Sequence, residues 1–254
     1  MEQTKVLIIY TGGTIGMVED IETGSLHPFD FSHLLDEVPE LKKFDIKLEA
    51  ISIKDPIDSS NVSANTWVEL IEIIEKNYNM FDGFVILHGS DTMAYSASAL
   101  SFLIENVNKP IVFTGSQLPI GKVRNDATRN LVSALQVASD YDENGIAKVR
   151  EVCICFNDKV IRANRAKKLE SSQFDAFHSE NYSAIANIGV KIEYNWYCNR
   201  FIESQPYRFY PNMNVSVGLL YLTPGITKQV VERIVDRELF DGLVLMSYGA
   251  GNVG

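Results

Sequence analysis

The chain has 254 residues, of which 46% are hydrophobic, and its formal net charge is −10. This length suits one large domain, or one domain and part of another, while the acidic balance argues against a nucleic-acid partner or an anionic membrane surface. The three cysteines form no paired framework, and neither a signal-like segment nor a membrane-length apolar run is present. These features predict a reduced, cytoplasmic protein.

Short apolar runs rich in β-branched residues predict strands, and each run ends in a glycine or a polar loop. These runs are Val6–Tyr10, Phe84–Leu87, Ile111–Thr114, Val152–Phe156, Val217–Leu222 and Leu243–Met246. Stretches of helical period lie between many of them, at about 64–78, 94–107 and 126–138 and from near Thr227 onwards. The alternation predicts an α/β fold with a doubly wound, mostly parallel sheet, which binds ligands beyond the carboxyl ends of its strands.

The predicted helices carry apolar faces that should pack inwards. Thr66 and Glu69 have the spacing of a capping box at the start of the first helix. The residues expected to face inwards are Trp67, Leu70, Ile71 and Ile74 in the first helix, Leu131, Ala134, Leu135 and Ala138 in the third, and Val230, Val231, Ile234 and Val235 in the last.

Two intervals interrupt the alternation of strands and helices. Residues 18–34 mix acidic and polar residues with glycine and proline, which suits either a mobile loop or hairpin that can close over a ligand near Thr14 or an ordinary surface excursion. Residues 191–215 are aromatic and polar. We therefore predict a large N-terminal domain over 1–190, a linker over 191–215 and the start of a smaller α/β C-terminal domain over 216–254. Two strands and one helix would leave that second domain incomplete.

The first strand runs directly into the sequence Thr11-Gly-Gly-Thr14-Ile-Gly16. This loop is not a dinucleotide fingerprint, because Thr11 replaces the first glycine, and no lysine follows Gly16 as it would in a Walker loop. The glycines instead allow a sharp turn and a close approach to a ligand, with the Thr14 hydroxyl beside backbone N–H groups. Thr14 is therefore a candidate nucleophile, the alternative being a threonine that only caps the turn.

A second polar group, Ser90-Asp91-Thr92, follows the strand at 84–87 and begins a predicted helix. Capping requires only one such residue, so we expect one or two of them to face a ligand. Lys168 lies in a basic stretch whose default interpretation is a solvated surface. Packed against Asp91 and a hydroxyl, however, a lysine can activate that hydroxyl as a base.

Two further features are less specific. Asp58-Ser59-Ser60 follows another apparent strand, and it suits either the polar ends of a small substrate or a surface turn. His88 precedes a glycine at a strand end, where a satisfied structural histidine is expected. The four histidines are not spaced with carboxylates or cysteines as metal ligands would be, which disfavours metal catalysis.

Four motifs together resemble those of the bacterial-type L-asparaginases, closest to the cytoplasmic type I group. They are Thr11-Gly-Gly-Thr14-Ile-Gly, His88-Gly-Ser-Asp91-Thr-Met-Ala-Tyr, Thr114-Gly-Ser-Gln117 and Phe174-Asp-Ala-Phe177. The resemblance implies hydrolysis of L-asparagine to L-aspartate and ammonia without a cofactor or metal. It also implies a homodimer or homotetramer for the full-length protein. The family's chain continues beyond Gly254, and its carboxyl domain contributes to the dimer.

The resemblance also implies roles for individual residues. Thr14 would be the nucleophile that forms an acyl-enzyme. Ser90, Asp91 and Lys168 would form a triad, and Asp58, Ser59, Ser60, Ser90 and Asp91 would bind the substrate. The chain departs from the family at Ser90, where the family has threonine, and over 24–28, which lacks the family's loop tyrosine.

Other functions stay open at this point. A relative of these enzymes can act on glutamine or on an amide of a tRNA-linked amino acid, although the acidic chain disfavours the latter. A non-catalytic module that binds an amino acid is a further possibility. A nucleotide-binding domain is disfavoured by the incomplete glycine pattern.

Overall fold

A computed structural model describes residues 3–19, 26–28, 38–120, 122–198, 205–235 and 239–253. The strands are β1 (Thr4–Tyr10), β2 (Met17–Glu19), β3 (Leu26–Pro28), β4 (Ile46–Ser52), β5 (Gly83–Leu87), β6 (Ile104–Glu105), β7 (Ile111–Thr114), β8 (Val152–Phe156), β9 (Lys159–Arg162), β10 (Lys167–Lys168), β11 (Phe177–His178), β12 (Ala186–Ile188), β13 (Ile192–Tyr194), β14 (Arg208–Phe209), β15 (Val217–Tyr221) and β16 (Gly242–Met246). The helices are α1 (Ala64–Asn77), α2 (Met93–Leu103), α3 (Ala127–Ala138) and α4 (Lys228–Ile234).

The main sheet joins eight of the described strands in the order β13-β12-β9-β8-β7-β5-β1-β4. Strands β4, β1, β5, β7 and β8 run parallel, and β9, β12 and β13 continue the sheet in antiparallel pairs. The chain moves from β1 outwards to β4 and then crosses back to β5. The direction of winding therefore reverses between β1 and β5, which is where sheets of this kind place a ligand.

Helices cover both faces of the parallel part, as the sequence predicts. Alternate residues of β1 and β5 share one core with the buried face of α3, and α2 contacts β7 and β8. Helices α1 and α2 also contact each other, and the Trp67 indole donates a hydrogen bond to Ser96 Oγ at 3.0 Å. Residues of the central strands are buried on both sides, which explains why the strands read as continuous apolar runs.

Two cysteines belong to this core, as expected. Cys153 and Cys155 are fully buried in β8, and burial raises the pKa of the Cys155 thiol to about 12. Both thiols are therefore protonated core side chains rather than metal ligands or nucleophiles.

The predicted apolar faces of the first and third helices are confirmed in seven of eight residues: Leu70, Ile71 and Ile74 are buried, and so are the four predicted residues of α3, whereas Trp67 is only partly buried. The predicted capping box is wrong. Helix α1 begins one turn earlier, after Ser63, and it is Thr66 whose hydroxyl accepts a hydrogen bond from the Ser63 N–H at 3.3 Å. Glu69 accepts instead from the Lys54 N–H at 2.9 Å.

The second helix is shorter than the helical period predicts. It ends at Leu103, and the next two residues form β6, which pairs with β14. Asn106 then adopts a positive φ of 55°, which an α-helix does not accommodate. Residues 104–105, for which a helix is predicted, therefore form a strand paired with β14 instead.

Part of the irregular interval after Thr14 lies within the described residues. Strands β2 and β3 form an antiparallel pair in which Met17 lies opposite Pro28, so this part is a hairpin. The rest of the predicted loop, including Gly24, lies outside the described residues.

The chain divides into two compact units, Met1–Pro211 and Asn212–Gly254. The interval for which a linker is predicted carries β13 and β14, whose partners β12 and β6 belong to the first unit. In the second unit β15 and β16 run parallel, with α4 between them in sequence. In the described residues no helix combines the length and hydrophobicity that a membrane crossing requires.

The last helix buries less of its apolar face than the sequence predicts. Thr227 caps it, as its position suggests, but Val230 and Val235 are 46% and 42% exposed. The prediction that both face inwards is wrong. A surface of only two strands is too narrow to cover all four apolar positions of the helix.

Candidate active site

The loops that follow β1 and β5 lie side by side at the point where the winding of the sheet reverses. Thr11 joins them, because its N–H and its hydroxyl both donate to the Leu87 carbonyl at 3.0 Å. The Thr11 carbonyl in turn accepts from the Ile57 N–H at 2.9 Å. The polar groups of Thr11 are thus used in structural contacts. Thr14, the first residue of a short 3-10 helix, is itself only partly buried.

Glycines allow three loops of the site to meet without side chains between them. A Cβ on Gly13 would lie 2.5 Å from the Cα and N of Gly89, and a Cβ on Gly89 would lie 2.5 Å from Ser59 Oγ. Gly12 has a φ of 120°, and a Cβ there would overlap the Ile57 carbonyl. The contact between Gly13 and Gly89 therefore lies next to Thr14, Ser59 and Ser90.

This packing predicts a large cost for a methyl group at Gly12. We expect Gly12→Ala to lower the free energy of unfolding by about 2 kcal/mol more than Gly145→Ala does. Gly145 also has a positive φ, of 73°, but nothing lies within 4 Å of the position that a Cβ would take there, so Gly145→Ala carries only the left-handed backbone cost of about 1–2 kcal/mol. Urea unfolding of both variants measures the difference, and equal losses would show that the loop tolerates the methyl group.

Lys168 contacts two residues of the loop that follows β5. Its Nζ lies 2.9 Å from Ser90 Oγ and 2.7 Å from Asp91 Oδ1. The Lys168 side chain is only 15% exposed, whereas the Asp91 carboxylate is 67% exposed. Neither Ser90 nor Asp91 is the N-cap of α2; that position belongs to Thr92, whose hydroxyl donates to the Ser59 carbonyl at 2.6 Å. Ser90 and Asp91 are thus available for the amine and for a ligand.

A small hairpin outside the main sheet delivers Lys168. Its strands are β10 and β11, and Lys168 lies opposite Phe177. Phe177 is buried, with its ring 4.9 Å from that of Phe156 in β8, and Asp175 pairs with Lys159 Nζ at 2.7 Å. The Phe174-Asp-Ala-Phe177 motif therefore fastens the hairpin to β8 and β9, a role that no periodicity in the sequence reveals.

The predicted substrate-binding turn adjoins the same site. Asp58 Oδ1 accepts hydrogen bonds from the Ser60 N–H at 2.8 Å and from the Ser60 hydroxyl at 2.7 Å. These bonds, the backbone one first, lower the pKa of Asp58 and keep its carboxylate charged. Ser59 is buried against Gly89, while Ser60 is exposed.

Sequence reasoning assigned no role to Gln117, which lies in the loop after β7. Its Oε1 accepts from the Ser90 hydroxyl at 3.3 Å, and its Nε2 donates to the Gln173 carbonyl at 3.0 Å. Only its place in the Thr114-Gly-Ser-Gln117 motif marked this glutamine. The structure brings it into contact with a predicted site residue.

His88 lies beneath the site and is fully enclosed. Its Nδ1 lies 2.7 Å from the Gly89 carbonyl, which only accepts, so Nδ1 carries the proton. Its Nε2 is buried and has no hydrogen-bond partner among the residues that the structure describes. The prediction of a satisfied histidine thus holds for one ring nitrogen only. Burial lowers the pKa of His88 to about 4.

This burial predicts a pH dependence of stability. The unfolded state binds a proton at His88 below about pH 6.5, whereas the folded state binds it only near pH 4. Stability is therefore lost as the pH falls through this window, by up to about 3 kcal/mol. In His88→Asn, whose amide can keep the bond to Gly89, this loss should disappear. Urea unfolding between pH 4 and 8 tests this; parallel curves for the two proteins below pH 6.5 would contradict it.

In the described residues no group of three or more His, Cys, Asp or Glu side chains is placed to hold a metal ion. The site itself brings together an amine, hydroxyls and carboxylates. All of these groups lie between residues 14 and 168. A family model described as "Asparaginase, N-terminal" matches residues 5–200 and so spans all of them. The chain belongs to the asparaginase family. The family predicted from the four motifs is thus confirmed.

Individual relatives agree with this assignment. An L-asparaginase of Dirofilaria immitis is 36% identical over 99% of this chain, which spans 46% of that protein. L-asparaginase 1 of Escherichia coli K12 is 35% identical over 99% of this chain and 73% of its own length. The crystal structure of L-asparaginase I from Vibrio cholerae superimposes with a TM-score of 0.88 at 33% identity, over 99% of this chain and 74% of that one. The chain thus spans less than half of the Dirofilaria immitis relative and about three quarters of the other two.

Proposed function

We propose that this chain hydrolyses the side-chain amide of L-asparagine to L-aspartate and ammonia. The observation that carries the proposal is a contact among three groups: the Lys168 amine, the Ser90 hydroxyl and the Asp91 carboxylate. They lie at the carboxyl ends of the parallel strands, where the loop with Thr14 also lies. Membership of the asparaginase family supports the same activity.

In the proposed mechanism, Thr14 Oγ attacks the amide carbon, and its proton passes through Ser90 to the amine of Lys168, which acts as the general base. Returning a proton to the amide nitrogen expels ammonia and leaves an ester between Thr14 and the aspartyl group. Water then attacks this ester, gives up its proton to the same groups and releases L-aspartate and the free hydroxyl. Backbone N–H groups near Ser90 stabilise the oxyanion, each by about 3 kcal/mol.

The amino-acid end of the substrate binds at the carboxylates and hydroxyls beside these groups. Asp91 holds the α-amino group, since its carboxylate is largely exposed and already oriented by Lys168. Asp58, Ser59 and Ser60 complete the binding turn, with Asp58 kept charged by its hydrogen bonds. Neither a metal nor an organic cofactor takes part in this mechanism.

Product analysis tests the proposal. The wild-type chain should release ammonia and L-aspartate in equal amounts from L-asparagine, and more slowly from L-glutamine, whose extra methylene costs about 1–3 kcal/mol in a fitted pocket. Calorimetry should show binding of the product L-aspartate. Binding of asparagine without ammonia release would instead identify an amino-acid-binding module, and faster release from glutamine would identify a glutamine-specific relative.

We further propose that the full-length protein is a cytoplasmic homodimer or homotetramer, without a nucleic-acid or membrane partner. The resemblance of the four motifs to the cytoplasmic type I group supports the assembly and the location, and the net charge of −10 disfavours anionic partners. Light scattering on the full-length protein tests the assembly, and a monomer at micromolar concentration would contradict it.

A further inference from the structure

The Ser90 hydroxyl needs to be held in place by its surroundings. Serine has one side-chain torsion with three staggered positions, and it lacks the second Cβ substituent that restricts threonine. Ser90 is also only partly buried. Hydrogen bonds therefore decide whether its Oγ faces Lys168.

Gln117 supplies one of these hydrogen bonds, and its orientation is fixed. Its Nε2 lies 3.0 Å and 3.4 Å from the carbonyls of Gln173 and Ser171, which only accept. The amide nitrogen must face these carbonyls, so the amide oxygen must face Ser90. In the resting site Ser90 Oγ then donates to Gln117 at 3.3 Å while it accepts from Lys168 at 2.9 Å. During the proposed proton transfer the hydroxyl hydrogen turns about the Cβ–Oγ bond towards the amine, and the oxygen stays in place.

The two carbonyls lie in the loop that directly follows Lys168. This loop connects β10 to β11 and is closed by the Leu169 N–H, which donates to the Ala176 carbonyl at 2.9 Å. One side chain, Gln117, thus contacts Ser90 with its oxygen and the Lys168 hairpin with its nitrogen. It spans the two elements whose separation sets the distance between hydroxyl and amine.

Gln117 is itself anchored through its backbone. The N–H groups of Gln117 and Leu118 donate to the Asp126 carboxylate at 2.9 Å and 3.0 Å. Asn130, in the first turn of α3, donates to the same carboxylate at 3.2 Å and to the Gly115 carbonyl at 2.9 Å. The glutamine therefore projects from a loop fastened to a buried helix.

We propose that Gln117 is a positioning residue, which holds the Ser90 hydroxyl in the rotamer that faces the Lys168 amine. This inference rests on the proposed function, in which the proton passes between Ser90 and Lys168. Gln117 acts through Ser90, so it should affect turnover rather than substrate affinity.

Kinetics of Gln117→Met in two backgrounds tests the proposal. In the wild-type background kcat for L-asparagine should fall by roughly 10- to 100-fold, the range expected for a misplaced group, with KM almost unchanged. In a Ser90→Thr background, where the β-methyl restricts the rotamer, the same substitution should cost less than about threefold. Gln136→Met, at an exposed position of α3, is the matched control and should have no effect. An equal loss in both backgrounds, or a change confined to KM, would overturn the proposal.

Crystal structures of the wild type and of Gln117→Met give a readout that does not depend on activity. We expect a single Ser90 rotamer, within hydrogen-bonding distance of Lys168 Nζ, in the wild type and more than one rotamer in the variant. A single unchanged rotamer in Gln117→Met would overturn the proposal. A wild-type chain that shows the expected rotamers but releases no ammonia would refute the proposed function and leave the positioning role standing.

Discussion

Replacing Thr14 by alanine should lower the rate of ammonia release from L-asparagine by at least about 10⁴-fold, the scale of losing a covalent nucleophile. Without the hydroxyl no ester can form, while the amine, hydroxyl and carboxylate at Lys168, Ser90 and Asp91 stay in place. Thr14→Ser, which keeps an oxygen, should retain far more activity than the alanine variant. Steady-state ammonia release measures all three proteins.

The matched control for this experiment is Thr223→Ala, at an exposed position of the second unit, which should keep wild-type kinetics. Asparagine binding to Thr14→Ala should stay within a few-fold of that to the wild type, since the proposed substrate-binding turn at 58–60 is unchanged. Residual turnover near the wild-type rate would show that another group is the nucleophile.

Replacing Lys168 by methionine should lower kcat by about 10²- to 10⁴-fold, the contribution expected of a general base. Methionine keeps much of the aliphatic side chain, which is largely buried, but it removes the nitrogen that contacts Ser90 Oγ at 2.9 Å. The loss should be seen with saturating L-asparagine, because proton transfer rather than binding is impaired.

Lys167→Met is the matched control, because Lys167 is the exposed neighbour in β10 and successive side chains of a strand point to opposite faces. It should retain wild-type kcat. Thermal unfolding of both variants shows whether the hairpin is preserved. If Lys167→Met and Lys168→Met lose activity equally in folded proteins, the two lysines act through surface charge rather than through contact with Ser90.

The sequence predicted the parts of this fold that depend on burial. Strands β7 and β8 have the predicted bounds, because each is an apolar run buried on both faces. Strand β4 at the sheet edge was anticipated only as an apparent strand before Asp58, since its lysine and glutamate residues interrupt the apolar pattern and most of its positions are exposed. The antiparallel strands β9, β12 and β13 are short and lack a long apolar run, so they were missed.

In the site, too, local sequence patterns predicted some residues and missed others. Glycine turns after β1 and β5 pointed to Thr14, Ser90 and Asp91, because such turns are needed where backbones approach closely. The link between Lys168 and Ser90 spans 78 residues and depends on a hairpin of two-residue strands, which no local pattern specifies. Gln117 was missed for a related reason: its partners lie in loops that meet only after the sheet has formed.

Because Lys168 lies in a hairpin late in the chain, its amine joins the other groups of the site last during synthesis. A ribosome completes all the parallel strands of the main sheet, the last of which ends at Phe156, before it reaches the lysine. The hairpin then closes only once Phe177 has been made and can pack against Phe156. A nascent chain that folds from its N-terminus therefore presents Thr14 and Ser90 first and gains its amine last, so that fragments released early lack the base that the proposed reaction needs.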